Sequence, residues 1–497
     1  MGTPSPVLSN QSSVPSTQYP VLSTQSPVPR TQCVSSRRML QEETIVALST
    51  APGIGAIALV RMTGPEAVRV AQAVFSKDIS SGQSAKAIHG WVMDGDQRID
   101  DVLLTVFRGP NSFTGEDTVE IACHGSLFIQ SEILRLLTSA GARMARGGEF
   151  TMRAFMNGKM DLSQAEAIGD LIASESAAAH RQAVHQMRGG FSKEINGLRD
   201  RLIHFAALVE LELDFAEEDV EFANREQFRA LLTEILQVVD KLQASFKLGN
   251  VLKSGVPVAI LGAPNAGKST LLNALLNEER AIVSDIAGTT RDTIEEHITI
   301  DGVRFNFIDT AGIRDTRDTI ESIGIGRAIE KARSASVILL IFDATGTHHE
   351  AFLSFKDYLL REIGNDHHLI VLANKTDDIH FDEGVFNKHF AEEKNLLKIS
   401  AKKGIHIEEL KQALRDAIDL GKVNSGETIV TNARHYAALT KASVSLRDVL
   451  QGLDSGVTGD LLAIDIRSTL HHLGEITGSV SPDDLLHHIF SSFCIGK

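Results

Sequence analysis

Residues 256–269 constrain this chain more than any other stretch: the short apolar strand Val256–Leu261 runs directly into Gly262-Ala-Pro-Asn-Ala-Gly267-Lys268-Ser269. That phrase matches G-x-x-x-x-G-K-[ST], the loop that cradles nucleotide phosphates. Leu271, Leu272, Leu275 and Leu276 then recur at helical spacing, so the local order is strand, glycine loop, helix. The glycines let backbone N–H groups converge on phosphates, and the helix N-terminus adds its dipole. Expected contacts are Asn265, Ala266, Gly267, Lys268, Ser269 and Thr270. Lys268 is predicted to reach the β- and γ-phosphates and to act in catalysis, and the Ser269 hydroxyl to ligate Mg²⁺. Alone, the phrase leaves room for a chance match in a glycine-rich turn.

Later segments close that room. Ser284, Asp285, Ile286, Ala287, Gly288, Thr289 and Thr290 form an irregular stretch ending in hydroxyls that can close over the γ-phosphate, with Thr290 a second Mg²⁺ ligand and catalytic group. Glu295–Ile300 and Val303–Ile308 flank Asp301-Gly302, a strong hairpin turn. The second strand ends in Asp309, Thr310, Ala311 and Gly312. There Asp309 would hold Mg²⁺ through water and the Gly312 amide would sense the γ-phosphate. Asn374, Lys375, Thr376 and Asp377 follow the strand Leu369–Ala373, and Ser400, Ala401 and Lys402 supply a loop near the base. The Asp377 carboxylate can accept hydrogen bonds from guanine N1–H and its 2-amino group. Adenine offers no such pair, and a buried acceptor left unpaired is costly. Three elements in this order, each at a strand end, specify GTP. Where signalling GTPases carry a water-orienting Gln, this chain has Ile313. Asp315, Asp318 and Glu321 are the candidates to replace it, against the plainer reading of exposed loop charge.

A chain of 497 residues exceeds one compact core and implies roughly two to four domains. The net charge of −15 argues against a general basic surface for nucleic acid, leaving a local basic patch or RNA delivered by a partner. Cys33, Cys123 and Cys494 are too scattered for a disulfide framework or zinc site, which fits a reducing cytoplasm. No apolar run is long enough to cross a bilayer. Residues 1–41 are rich in Ser, Pro, Thr and Gln, lack acidic residues and repeat Pro-Val-Leu-Ser; this composition predicts disorder. Prolines spoil a transit-peptide helix, and Pro6 spoils a myristoylation signal. A dispensable tail ahead of Met39 is the preferred reading, so deleting residues 1–38 is expected to spare activity.

Ile45–Ser49, Ala56–Arg61, Val102–Phe107 and Thr118–Ala122 read as strands, and Ser126–Ala140 as an amphipathic helix, a small α+β unit. From near Ser163 to Lys247 the pattern is helical, and it includes a run of carboxylates from Glu210 to Asp219 best read as a solvated acidic face. Strands and helices alternate from Val256 to Leu420, and after a short polar linker, Asn424–Thr431, the chain is helical again. The simplest inference is an α/β domain inserted into a helical bundle.

Further phrases then stand out: Pro110-Asn-Ser-Phe-Thr-Gly-Glu-Asp117, Gly148-Glu-Phe150, Arg153-Ala-Phe155, Asp161-Leu-Ser-Gln-Ala-Glu-Ala-Ile168, Asp285–Asp292 and the terminal Phe493-Cys-Ile-Gly-Lys497. Lys is a poor last residue for the prenylation box that the final phrase otherwise suggests. With these, the chain resembles the MnmE (TrmE) family of tRNA-modification GTPases from about Thr44 to Lys497. The resemblance implies a multidomain α+β fold, with a P-loop α/β G domain inserted into an α-helical domain and preceded by a small α+β folate-binding domain. Expected limits are 1–41 for the tail, 42–158 for the folate-binding and dimerisation domain, 159–252 and 423–497 for the helical parts, and 253–422 for the G domain.

The same resemblance implies a homodimer and a heterotetramer with the FAD-dependent partner MnmG (GidA), the FAD residing in that partner. Together they would add an aminomethyl or carboxymethylaminomethyl group to C5 of the wobble uridine in tRNA. A tetrahydrofolate derivative, 5,10-methylene or 5-formyl, would supply the carbon. It also implies K⁺ held by Asn265 with Ser284, Ile286 and Thr289, and Glu321 as the catalytic glutamate. A K⁺ there can neutralise charge near the β–γ bridge. The implied folate contacts are Arg61, Glu120, Lys159 and Lys497. Cations suit a glutamyl tail and a carboxylate suits pterin donors, although the residues alone read as a strand-end charge and a surface lysine. Cys494 could sit near the transferred carbon or be a small buried hydrophobe. His471 with His472, and His487 with His488, read as helix-surface pairs, because adjacent positions face apart. A regulatory GTPase switch in ribosome assembly is the alternative, but it gives no reason for the N-terminal unit or the Phe493–Lys497 end. A membrane-remodelling GTPase would need a basic amphipathic helix or lipid signal that the chain lacks.

Overall fold

The computed structural model describes residues 43–80, 84–214, 225–279, 296–308, 321–346, 349–364, 367–391, 393, 395–418, 428–480, 483–491, 493 and 495–496. Outside them lie the expected tail, Ser284–Thr290, Asp309–Gly312, Asp315, Asp318, Cys494 and Lys497, along with the carboxylates beyond Asp214.

The first unit runs β1 (Ile45–Leu48), β2 (Ile57–Thr63), α1 (Ala67–Ala73), β3 (Ala87–Asp94), β4 (Gln97–Phe107), β5 (Thr118–His124), α2 (Leu127–Ser139), β6 (Arg143–Met144) and α3 (Glu149–Met156). Its sheet has the order β3-β4-β5-β2-β1-β6. Alternation along β2 buries Ala58, Val60 and Met62 against the helices and leaves Arg61 on the opposite face. Four helices follow: α4 (Leu162–Ile172), α5 (Ala177–Met187), α6 (Gly190–Asp214) and α7 (Arg225–Ser254).

Next comes an α/β segment: β7 (Val256–Leu261), α8 (Lys268–Glu279), β8 (Glu296–Ile300), β9 (Val303–Phe307), α9 (Glu321–Ser334), β10 (Val337–Asp343), α10 (His349–Ile363), β11 (His368–Asn374), α11 (Glu383–Phe390), β12 (Leu396–Lys398) and α12 (Ile407–Asp416). Its sheet order is β12-β11-β10-β7-β9-β8. All pairings are parallel except the β8–β9 hairpin. The near-continuous apolar run of β10 is what a strand covered on both faces requires.

The chain closes with α13 (Ala433–Asp454), α14 (Gly459–Thr477) and α15 (Asp483–Ser491). Leu198, Leu202, Leu232 and Ile235 share one core with Leu439, Leu446, Ile466 and Leu473, so helices from both sides of the α/β segment pack together.

Two sequence expectations need correction. The end of the supposed polar linker is a buried strap: Ile429, Val430 and Thr431 are all buried. The Val430 N–H donates to Ser245 Oγ at 3.0 Å, and Gln182 Nε2 donates to the Ile429 carbonyl at 2.7 Å. Val430 approaches so closely that a Cβ at Gly249 would stand 2.0 Å from its carbonyl oxygen. The apolar pair within the polar run is the cause. Secondly, His471 and His472 do not diverge. Glu475, four and three residues on, receives the two rings at 3.4 and 3.5 Å.

The C-terminal residues return to the first unit. Phe490 packs with Leu162 and Ala165, Ile495 bridges Gly147, and Ser49 Oγ donates to the Gly496 carbonyl at 3.1 Å. Among the described residues no helix is long and apolar enough to cross a membrane.

Candidate nucleotide site

β7 lies between β9 and β10, where the strand order reverses, the crevice in which open α/β sheets bind ligands. The glycine loop leaves its carboxyl end. A Cβ at Gly262 would stand 2.1 Å from the Ile341 carbonyl oxygen, so only glycine lets the chain exit beside β10. Gly267 has φ +103° and would place a Cβ 2.1 Å from Asn374 Nδ2. Between them Asn265, at φ 63°, takes the left-handed conformation that Asn tolerates. The backbone is therefore wrapped into a tight cradle, which fits a phosphate chain.

Lys268 opens α8 and donates to the carbonyls of Gly262 and Ala263 at 2.8 and 2.9 Å. Burial holds its ammonium pKa below the usual lysine value, and the charge of Lys331 adds to the effect. Ser269 and Thr270 occupy the first turn of α8. Glu321 begins α9, with only its backbone described.

The expected base side is built from two strand ends. Asn374, 3% exposed, donates from Nδ2 to the Ala266 carbonyl at 2.8 Å and accepts the Ala401 N–H on Oδ1 at 3.0 Å. One amide thus joins the phosphate loop to the Ser400-Ala401-Lys402 loop. Thr376 closes the same corner, donating its N–H and hydroxyl to the Ile399 carbonyl at 3.2 and 3.0 Å. The Ser400 hydroxyl, helped by Lys403, holds the Asp377 carboxyl below the usual carboxylate range, so it stands ionised as an acceptor. Lys403 lies 3.2 Å from it. Sequence reasoning missed Lys403, and also Asp343, which ends β10 2.5 Å from the Lys375 ammonium. An acid at the ligand edge of a parallel strand was the available signal.

Of the expected folate contacts, Arg61 and Glu120 face each other across β2 and β5, with Nε to Oε1 at 2.8 Å. Arg61 also lies over the Phe113 ring, 5.5 Å from its centroid. Lys159 Nζ donates to the Pro110 carbonyl at 2.8 Å, on the same loop as Phe113. A cation, an aromatic face and a carboxylate share one region, a set that suits a flat heterocycle with an anionic tail.

A family model described as "GTP-binding protein TrmE N-terminus" matches residues 44–159, and one described as "MnmE helical domain" matches residues 162–494. The chain belongs to the MnmE family. The tRNA modification GTPase MnmE of Christiangramia forsetii is 53% identical over 476 residues, covering 92% of this chain and 100% of that protein. The tRNA modification GTPase MnmE of Flavobacterium johnsoniae is 52% identical over 469 residues, with the same coverage. A crystal structure of an Aquifex aeolicus Era variant bound to GDP.AlF4- covers 38% of this chain and 66% of that one at 27% identity. With a TM-score of 0.26, that likeness leaves the arrangement of the parts to the contacts above.

The phrases that carry the resemblance have physical work in this fold. In Pro110–Asp117, Asp117 pairs with Arg108, Glu116 with the buried Arg153, and Thr114 with Thr63. In Asp161–Ile168, Asp161 and Gln164 form a capping box that starts α4, and Glu166 meets Arg434 and His435.

Proposed function

We propose that this chain couples K⁺-stimulated GTP hydrolysis to tRNA modification. With an FAD-dependent partner of the MnmG (GidA) kind, it adds an aminomethyl or carboxymethylaminomethyl group to C5 of the wobble uridine, using a tetrahydrofolate one-carbon unit. The observation that carries the nucleotide half is the Asn374 amide, which draws the phosphate loop and the Ala401 loop to one corner beside Asp377. Family membership, with relatives of that name aligned along their whole length, supports the tRNA half.

In this reading the G domain, residues 253–422, is an insert in a helical domain formed by 159–252 and 423–497, after a folate-binding and dimerisation domain at 42–158. The protein works as a cytoplasmic homodimer. Lys268 and the loop amides hold the β- and γ-phosphates, and Asp377 selects guanine. Ser269 and Thr290 would hold Mg²⁺, and Asn265 with Ser284, Ile286 and Thr289 would hold K⁺; when bound, these ions would supply positive charge near the leaving oxygen. Asp309–Gly312 follows the γ-phosphate, and Glu321 orients the attacking water in place of a Gln. Arg61, Glu120, Lys159 and Lys497 bind the folate.

Deleting the gene is expected to strip the modified wobble uridine from total tRNA digested to nucleosides and read by mass spectrometry. An unchanged nucleoside profile overturns the tRNA reading. Replacing K⁺ by Na⁺ is expected to slow GTP turnover at least ~10-fold, since the smaller ion seats poorly among ligands spaced for K⁺ and its charge is no longer well placed for phosphoryl transfer. Equal rates in the two salts remove the cation from the mechanism.

A further inference from the structure

The four residues at the end of β11 are held by different partners. Asn374 is spent on two protein loops, and Thr376 on the Ile399 carbonyl. Asp377 is kept ionised by Ser400 and Lys403. Lys375 sits at φ 65°, a left-handed conformation uncommon for a residue with a Cβ. Its ammonium is turned back to the end of the neighbouring strand, where Asp343 Oδ2 accepts it at 2.5 Å.

Asp343 is itself fixed. Its other oxygen accepts the Thr345 N–H at 3.0 Å and the Thr345 hydroxyl at 2.7 Å. The two strand ends are locked by backbone, with Asp343 opposite Asn374 and the Ala344 N–H donating to the Asn374 carbonyl at 2.9 Å. Burial works against the Asp343 charge, but Lys375 and Thr345 outweigh it and keep the carboxyl below its ordinary pKa. A lysine whose head is tied down leaves its four-carbon stem as a stiff apolar strip. Lys375 stands two residues before Asp377, to which the GTP reading gives the base edge.

We propose that Asp343 is a positioning residue for the guanine slot: by holding the Lys375 ammonium it fixes the Lys375 stem as a wall against the flat face of the base. The inference rests on the GTP reading above and assigns a division of labour within it. Asp377 meets the edge of the ring, where purines differ, whereas the Lys375 stem meets the face, where they do not. Asp343 therefore sets affinity and leaves base choice alone. Without the tether, the stem regains rotamers that must be frozen again each time a nucleotide binds.

The full chain is titrated with mant-GDP, and with unlabelled GDP and IDP as competitors. Asp343→Asn is expected to raise the Kd for GDP and IDP by the same factor, about fivefold, as suits a part-exposed charge-assisted hydrogen bond. Asp343→Glu, which restores the charge, recovers most of the loss. In a Lys375→Met background Asp343→Asn has no further effect, because the partner is already gone. Circular-dichroism melting shows whether each variant is folded.

A changed GDP-to-IDP ratio overturns the proposal, as does an Asp343→Asn effect that persists undiminished beside Lys375→Met. The latter result would make Asp343 only the cap of the Thr345 turn. Native protein that fails to bind mant-GDP removes the GTP reading itself. Native binding that Asp343→Asn leaves unmoved removes the tether alone.

Discussion

Gly267→Val is expected to abolish guanine-nucleotide binding while leaving the rest of the fold in place. Two costs fall on the same atom position. At φ +103° a β-branched residue is strained, a penalty of about 1–3 kcal/mol. The new Cβ would also stand 2.1 Å from Asn374 Nδ2. That amide is the end of a side chain, and in an open site it could swing aside cheaply. Here it is buried, with its nitrogen committed to the Ala266 carbonyl and its oxygen to the Ala401 N–H. Moving it breaks both hydrogen bonds and leaves buried groups unpaired, at about 1–3 kcal/mol each. The phosphate loop and the base-side loop then separate. The combined loss corresponds to at least ~100-fold in the Kd for mant-GDP, measured on full-length protein whose far-UV circular dichroism is unchanged. Binding within about threefold of native would show that the two loops do not depend on the Asn374 bridge.

That bridge also marks how far the sequence could be read. The order strand, glycine loop, helix is legible at Val256–Glu279, because an apolar run, two glycines and helically spaced leucines are local signals. The β8–β9 hairpin is legible because Asp301-Gly302 is a dipeptide that accepts positive φ, and the two residues adopt +50° and +80°. β3 is not legible: burial favours Ile88, Gly90 and Val92, but a glycine on that face and the apolar Trp91 and Met93 on the other leave no apolar–polar alternation in the sequence.

The site fails to show itself wherever it depends on contacts distant in sequence. Ala266 and Asn374 are 108 residues apart, and no periodicity links them. Arg61 and Glu120 look like two separate charges until the β2–β5 register sets them opposite each other. Ile429 and Val430 sit in a run of polar residues, and the partners that take them in, Gln182, Ser245 and Gly249 among them, lie far back in the chain. Local chemistry names the parts, but the register of strands and the docking of helices decide which parts meet.

Glu166→Ala tests the docking of helices most severely. Glu166 comes from α4, before the α/β segment, and its partners come from α13, after it. The Arg434 guanidinium grips both carboxylate oxygens at 2.8 Å, and His435 Nε2 lies 2.7 Å from one of them. Glu166 and His435 are buried, at 7% and 1% exposure. Arg434 also donates to the carbonyls of Glu475 and Ile476, near the end of α14, so three helices meet at one carboxylate. Removing it leaves a guanidinium and a buried imidazole without their acceptor, at about 3–5 kcal/mol. The urea transition of the helical core in Glu166→Ala is expected to move by that amount.

The pH dependence separates charge from packing. Burial alone would raise the Glu166 pKa, but His435 and Arg434 overcome it and bring it from 4.5 down to about 2. A carboxyl depressed on folding contributes fully above its unfolded pKa and loses that contribution as pH falls toward the folded value. The stability gap between native protein and Glu166→Gln is therefore expected to shrink steadily as pH falls from about 4.5 towards 2. A gap that stays flat through that window would mean the three helices are joined by packing, with the ion pair merely accommodated between them.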